Sequence, residues 1–275
     1  MMGSPASEWG RGAYSEDEVA MILTHDFLIG QNELTQREWV ALGYPNPSGP
    51  YFDAGIGDCT DNFDCPVGGV TWYEALAYAN ALSDRDALPR CYELASCTGK
   101  VGEGFRCESA TLTATSLYEC RGYRLPTEVE WEYAARAGTR TAFFSGEITS
   151  QGQQYNECCR DEALEPVAWY CANSGGHTHP VGSKAPNAWG LFDVLGNVSE
   201  WVNDPPTGGT VPGPLTDYGG DLPARPSSLT RGGNFMQWAV ALRLASGALS
   251  YPRGERRTGL GVGFRLVRSL PIRDE

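Results

Sequence analysis

Nine cysteines, all between Cys59 and Cys171, stand in a chain of 275 residues that has only two lysines, Lys100 and Lys184. Sulfur at this density can ligate a metal, do redox chemistry or form disulfides, and the spacing decides among them. Cys91, Cys97, Cys107 and Cys120 leave five, nine and twelve residues between successive sulfurs. Thiolate zinc sites instead use pairs about two to four residues apart. Nested bridges, Cys91–Cys120 around Cys97–Cys107, are therefore expected, with Cys59–Cys65 closing the acidic loop DCTDNFDC. Vicinal Cys158 and Cys159 would form a strained ring with each other, so Cys159 is expected to bridge to Cys171, with Cys158 as the odd thiol. This cysteine usage points to an oxidising compartment: secreted, periplasmic or at the cell surface.

Other metal chemistry is thinly supported by spacing. Asp58, Asp61 and Asp64 recur every third residue and do not follow the alternate-residue pattern of an EF-hand loop. His177 and His179 have no thiolate or carboxylate at matching spacing, and His25 is isolated.

The net charge of −13 is unevenly spread. Residues 231–275 hold eight arginines and three acids, a balance of +5 against −18 for the rest. Those arginines are expected to pair with acids of the same fold, and the overall sign argues against a nucleic-acid partner. No run of 18 apolar residues exists, so no membrane-spanning helix is expected. Met1–Arg11 is polar and shows no signal-peptide core. Oligomeric state is not legible.

The elements that must position these groups are short. Thr35/Glu38, Thr71/Glu74 and Thr127/Glu130 are capping boxes, each opening a helix. The first stops at Gly43. The second places Trp72, Ala75, Leu76, Ala79 and Leu82 on one face. The third carries Val129, Trp131, Tyr133 and Ala134 toward one face, and Gly138 stops it. Phe27–Ile29 suits a short buried strand. Residues 87–121 read as a surface loop held by the nested bridges. With 34 Gly and 18 Pro, turns should outweigh long elements.

The stretch GYRLPTEVEWEYAARAG (122–138) resembles the central signature of the formylglycine-generating enzyme, or sulfatase-modifying factor, family. Matching phrases run along the chain: MGS at the start, Glu33–Thr35 with Trp39, PVGGVTWYEALAYANAL, then THPVGSKAPNAWGLFDVLGNVSEW, RGGN and GFR. The resemblance implies an α+β fold, a variant of the C-type lectin fold with low regular secondary structure, a few helices and short twisted antiparallel strands. It implies one domain over 1–275 with a cysteine-rich insertion at 87–121. Because the chain opens at the MGS motif, the strand that precedes it in the family is expected to lie upstream of this sequence. By position, a structural Ca2+ would be held by the side chains of Asp193 and Glu200 and the carbonyls of Gly196 and Val198.

Family oxidases bind copper(I) through two cysteines between RGG and GFR, since soft thiolates suit that ion. Here the interval 231–265 contains neither cysteine nor histidine. Ser199 replaces the usual Trp, Asn234 the usual Ser, and Phe192 the usual Tyr. No copper and no oxidase activity are expected. What remains is a binding module for a protein or small surface ligand, using the groove of 231–264 with Asn234, Trp238, Arg243, Tyr251, Arg253, Arg256 and Arg257. Two alternatives stay open: a diversity-generating-retroelement variable protein, whose variable residues occupy this same stretch, and an enzyme that uses unusual residues.

Overall fold

The computed structural model describes residues 1–11, 16–48, 59, 63–150, 158–204, 213–219, 227–246, 250–252 and 261–271. In chain order the elements are β1 (Met21–Ile22), β2 (Phe27–Ile29), α1 (Gln36–Ala41), α2 (Trp72–Arg85), β3 (Tyr92–Ala95), β4 (Ser109–Leu112), β5 (Tyr123–Arg124) and α3 (Glu128–Arg136). They continue as β6 (Ser199–Trp201), β7 (Leu215–Thr216), β8 (Ser227–Arg231), β9 (Ser250–Pro252), β10 (Val262–Gly263) and β11 (Val267–Ser269). Each helix starts where a threonine accepts from the backbone N–H three residues on while the glutamate there accepts from the threonine's own N–H. The three capping boxes thus satisfy orphan donors reciprocally.

β2, β11 and β5 form one antiparallel sheet, and β10, β6, β8 and β9 another in which β10 and β6 run parallel. One apolar core packs around α2, with Trp39 stacked on Tyr78 at 5.3 Å and Phe264 edge-on to both. A second packs around α3, with Trp131, Phe143, Leu195 and Leu242 buried. Buried tryptophans also spend their N–H groups: Trp72 donates to the carbonyl of Val202 and Trp201 to that of Val70, both at 3.0 Å. No helix among the described residues is long and apolar enough to cross a membrane.

The insertion at 87–121 is more regular than a loop: β3 and β4 pair over four residues each as an antiparallel hairpin. The sequence hides it because Tyr92 is buried while its strand neighbours alternate weakly. Bridges Cys91–Cys120 and Cys97–Cys107 nest as expected. Glu74 couples the insertion to α2, since the Oε1 atom accepts from the N–H groups of Gly102, Gly104 and Phe105 at 2.9–3.1 Å. Gly102 has φ +87°, and a Cβ there would lie 2.2 Å from the carbonyl oxygen of Pro45, so only glycine fits.

Three expectations change. Tyr133 is 54% exposed and meets Trp189 edge-on at 4.9 Å rather than joining the core. Two residues from Trp131 is about 200° around a helix, which turns Tyr133 away. Leu28, likewise, points out of the β2 strand between half-buried Phe27 and Ile29, as strand alternation dictates. The fourth bridge joins Cys158, not Cys159, to Cys171, with Cα atoms 5.4 Å apart. Adjacent residues in an extended segment face opposite ways, so one cysteine of the pair can reach Cys171. Alkylating the unreduced, denatured protein should therefore label Cys159 and no other cysteine, readable by peptide mass mapping; label on Cys158 would reverse the pairing. Cys59–Cys65 forms as expected, whereas Asp58 and Asp61 lie outside the described residues. The four disulfides are those of a chain oxidised outside the cytoplasm.

Candidate functional site

Three distant motifs converge on β6. In register, Glu200 lies opposite Arg231 of β8 and opposite Gly263 of β10. Arg265 grips the Glu200 carboxylate with two charge-assisted bonds, at 2.7 Å from Nε and 2.6 Å from Nη2. Trp131 of α3 donates its indole N–H to the same group at 2.8 Å. Glu200 and Arg265 are fully buried, so the pair is screened very little.

Beside it the chain turns through left-handed positions at Asp193, Gly196 and Asn197. A Cβ at Gly196 would sit 2.2 Å from the carbonyl of Trp169, so this turn needs glycine. Glu33 braces the turn: its carboxylate accepts from the Val198 N–H at 2.9 Å and the Asn197 side chain at 2.7 Å. Asp193 accepts from the Gly182 N–H at 2.7 Å, while its Oδ1 is buried with no hydrogen-bond partner. Burial pushes the Asp193 carboxyl up to about 6, opposed in part by the Gly182 N–H and by Arg265. Burial also raises Glu33 well above the carboxylate range, with Asp193 and Glu200 adding to it. Three buried acids thus share one guanidinium. An orphan carboxylate oxygen beside this uncompensated charge fits a hard cation with oxygen ligands. Among the described residues no cluster of three or more His, Cys, Asp or Glu is placed to hold a metal, so such a cation would also need the carbonyls of Gly196 and Val198. Glu200 has one lone-pair site left after its three accepted bonds.

The segment after β8 carries the expected ligand-facing residues. Asn234 is buried; its amide N–H lies 3.3 Å from Ser199 Oγ, and its Oδ1 accepts from the Met236 N–H. Two of the positions that depart from the family pattern therefore touch each other. Trp238 is 37% exposed and Met236 52% exposed. The loop that carries them is pinned from behind: Ser174 Oγ donates to the Phe235 carbonyl and the Cys171 N–H to that of Gln237. Arg243 is a correction. It is buried and donates to Glu8 at 2.7 Å and to Glu16 at 2.8 Å, so a ligand does not meet it. The same holds for Arg231, which is paired with Glu132 and Glu128. The expectation that basic-tail arginines neutralise internal acids is met at these residues and at Arg265. The side chain of Tyr251, and Arg253, Arg256 and Arg257 altogether, lie outside the described residues.

His25 is the group that spacing missed. Its Nε2 lies 2.9 Å from Glu130 and its Nδ1 3.2 Å from Asp217, and its ring packs on Tyr118 at 4.1 Å. Asp217 is 192 residues away in sequence, and no local signal joins them. His179 stacks on Trp169 at 3.7 Å, with Lys184 4.0 Å from the indole centre.

The model of the sulfatase-modifying factor enzyme 1-like domain matches residues 3–270. The chain belongs to that family. Between Arg231 and Arg265 this member has no cysteine. It is 29% identical over 287 residues to the chaperone protein LppX of Paenibacillus barcinonensis, covering 96% of this chain and 86% of that protein. The formylglycine-generating enzyme of Thermomonospora curvata is 41% identical over 85 residues, covering 30% of this chain and 27% of that enzyme. Among solved structures, Treponema denticola variable protein 1 superposes with a TM-score of 0.72 at 28% identity, covering 97% of this chain and 93% of that one. The fold is that of the formylglycine-generating enzymes: small helices, short strands and little regular structure.

Proposed function

We propose that this chain is a non-oxidase member of the family, a single domain over 1–275, that recognises a protein or small surface ligand. The carrying observation is the segment between Arg231 and Arg265, which lacks any cysteine or histidine. Asn234 and Ser199 join across its buried floor, and Trp238 and Met236 are exposed beyond it. Exposed aromatic anchors are what binding surfaces use. Trp238 is assigned the anchor, with Tyr251, Arg253, Arg256 and Arg257 contributing from the same stretch and Asn234 shaping its base. The four disulfides favour action in the periplasm, outside the cell or on its surface. A second reading, a variable protein of a diversity-generating retroelement, draws support from the superposition on Treponema denticola variable protein 1.

The discriminating experiment is a copper(I) titration followed by incubation with a thiol peptide and oxygen. We expect no stoichiometric copper binding and no peptide oxidation; turnover would overturn the reading. For recognition, cell-surface and secreted proteins captured by the wild-type chain should be lost with Trp238→Ala, and equal capture by both would remove Trp238 from the surface.

A structural Ca2+ is part of the same proposal, held by Asp193, Glu200 and the carbonyls of Gly196 and Val198. Bound there, the ion would supply the positive charge that Asp193, Glu33 and Glu200 lack. Calcium at about 100 times its Kd should stabilise the chain by about 2.7 kcal/mol over EDTA. Asp193→Ala should abolish that shift in thermal melts, and an unchanged Tm in millimolar calcium would exclude the ion.

A further inference from the structure

Three buried side-chain oxygens among the described residues make no hydrogen bond: Asn32 Oδ1, Asp193 Oδ1 and Asp204 Oδ1. Such atoms are rare in folded proteins, because each gives up its hydration without compensation. Asp204 Oδ1 is closed in by backbone: a Cβ on Gly219 would lie 1.9 Å from it, so that side of the atom is filled. The other two oxygens belong to one neighbourhood. The Gly182 N–H donates to Asp193 Oδ2 at 2.7 Å, and the atom nearest to a Cβ on Gly182 would be Asn32 Oδ1, at 3.5 Å.

The segment carrying Asn32 is fastened to the turn through both of its neighbours. The Gln31 carbonyl accepts from the Phe192 N–H at 2.9 Å and from Arg265 Nη1 at 3.2 Å. The Glu33 carboxylate accepts from Val198 and Asn197. The backbone at Asn32 is thereby fixed against residues 192–198. The calcium ligands proposed above are also too few. Asp193 Oδ1, the remaining site on Glu200 and the carbonyls of Gly196 and Val198 supply one oxygen each, whereas calcium takes about six to eight, side-chain amides among them. An amide oxygen adds a donor without adding charge to a group in which Asp193, Glu33 and Glu200 already share the Arg265 guanidinium.

We infer that Asn32 is a further ligand of this cation, its Oδ1 coordinating together with Asp193 Oδ1. The inference rests on the calcium reading above and adds to it a donor from the connection between β2 and α1. Ion binding would then satisfy two orphaned oxygens at once and fasten that connection to the turn before β6. Every donor in the set is an oxygen, which suits a hard cation and not a thiolate- or imidazole-seeking metal.

The test uses terbium(III), a hard cation that takes calcium's oxygen ligands and emits when excited through a nearby indole. Trp131 Nε1 lies 2.8 Å from Glu200 Oε2 and serves as that indole. Emission lifetimes in H2O and D2O count the water molecules on the bound ion. Asn32→Ala should add one water and weaken calcium, measured by displacement of terbium, about tenfold or more, the loss found even for groups one step removed from a metal. Asn32→Asp should keep the wild-type water count and bind calcium more tightly, because ligand charge tunes affinity. Without metal, the same variant should melt at a lower temperature than wild type, since it crowds another carboxylate into the group. Melting curves in EDTA will establish that each variant folds. An unchanged water count in Asn32→Ala, whatever its affinity, overturns the inference and leaves the calcium reading standing. If Asn32→Ala does not fold, Asn32→Asp decides, and a calcium affinity no higher than wild type overturns the inference. Wild type showing neither sensitised emission nor a calcium-dependent Tm overturns the ion and the role of Asn32 together.

Discussion

Glu200→Ala is expected to destabilise the chain by roughly 3–5 kcal/mol, because it leaves the Arg265 guanidinium buried without its counter-charge. At this chain length that corresponds to a fall in Tm of roughly 6–15 °C. The carboxylate also accepts from Trp131, so the substitution strips partners from α3 and from the final strand region together. The cost lies mainly in the orphaned charge, not in the lost attraction. The double variant Glu200→Leu/Arg265→Leu should recover part of the loss, since it removes the orphaned charge while leaving the Trp131 indole and the carbonyls of Gly30, Gln31 and Phe192 without their partners. Urea unfolding of wild type, single and double variants checks both parts. A single variant within 1 kcal/mol of wild type would show that this junction does not hold the three motifs together.

The second large effect is acid sensitivity placed on one side chain. Glu130 closes the α3 capping box and is gripped by Arg124 through two bonds of 2.7 Å, with His25 on the far side. Although burial alone would raise it, the Arg124 charge and hydrogen bonds overcome that and hold the carboxyl at about 2, against 4.5 for the free group. A depressed folded value means the stabilisation is complete above pH 4.5 and is lost as pH falls toward 2. It amounts to about 3 kcal/mol in all. Asp204 and Glu128 work the other way, since burial raises both, so their contribution fades as pH rises. Wild-type stability alone mixes these opposed slopes. The difference in urea midpoint between wild type and Glu130→Gln isolates the first: it should be widest at pH 6–7 and shrink steadily below 4.5. A constant difference down to pH 3 would refute the assignment.

Local grammar carried much of the fold. Each capping box involves residues three apart, and the nested bridges close short segments, so both could be read directly. The choice between Cys158 and Cys159 could not, because it turns on which way one residue faces in a loop. Tyr133 was misplaced by treating a helix face too loosely, and Arg243 by assigning a charged residue to a surface when Glu8 and Glu16, more than 200 positions earlier, enclose it. His25 shows the limit most clearly: its partners Glu130 and Asp217 come together through tertiary packing alone. Of the candidate site, Asp193, Gly196, Val198 and Glu200 were legible only through the resemblance of the GLFDVLGNVSEW phrase, on which the proposed calcium ligands rest. The brace from Glu33 was not.

The contact between Asn234 and Ser199 limits what either position can hold. Ser199 is buried, its N–H is held by the Gly261 carbonyl, and Asn234 occupies the space beside it. A tryptophan restored at 199 would have to displace that neighbour, and forcing such bulk into a filled interior costs about 1–3 kcal/mol or more. A large residue at 199 would therefore need a smaller one at 234, so the side chains at these two positions constrain each other across the buried floor of the segment.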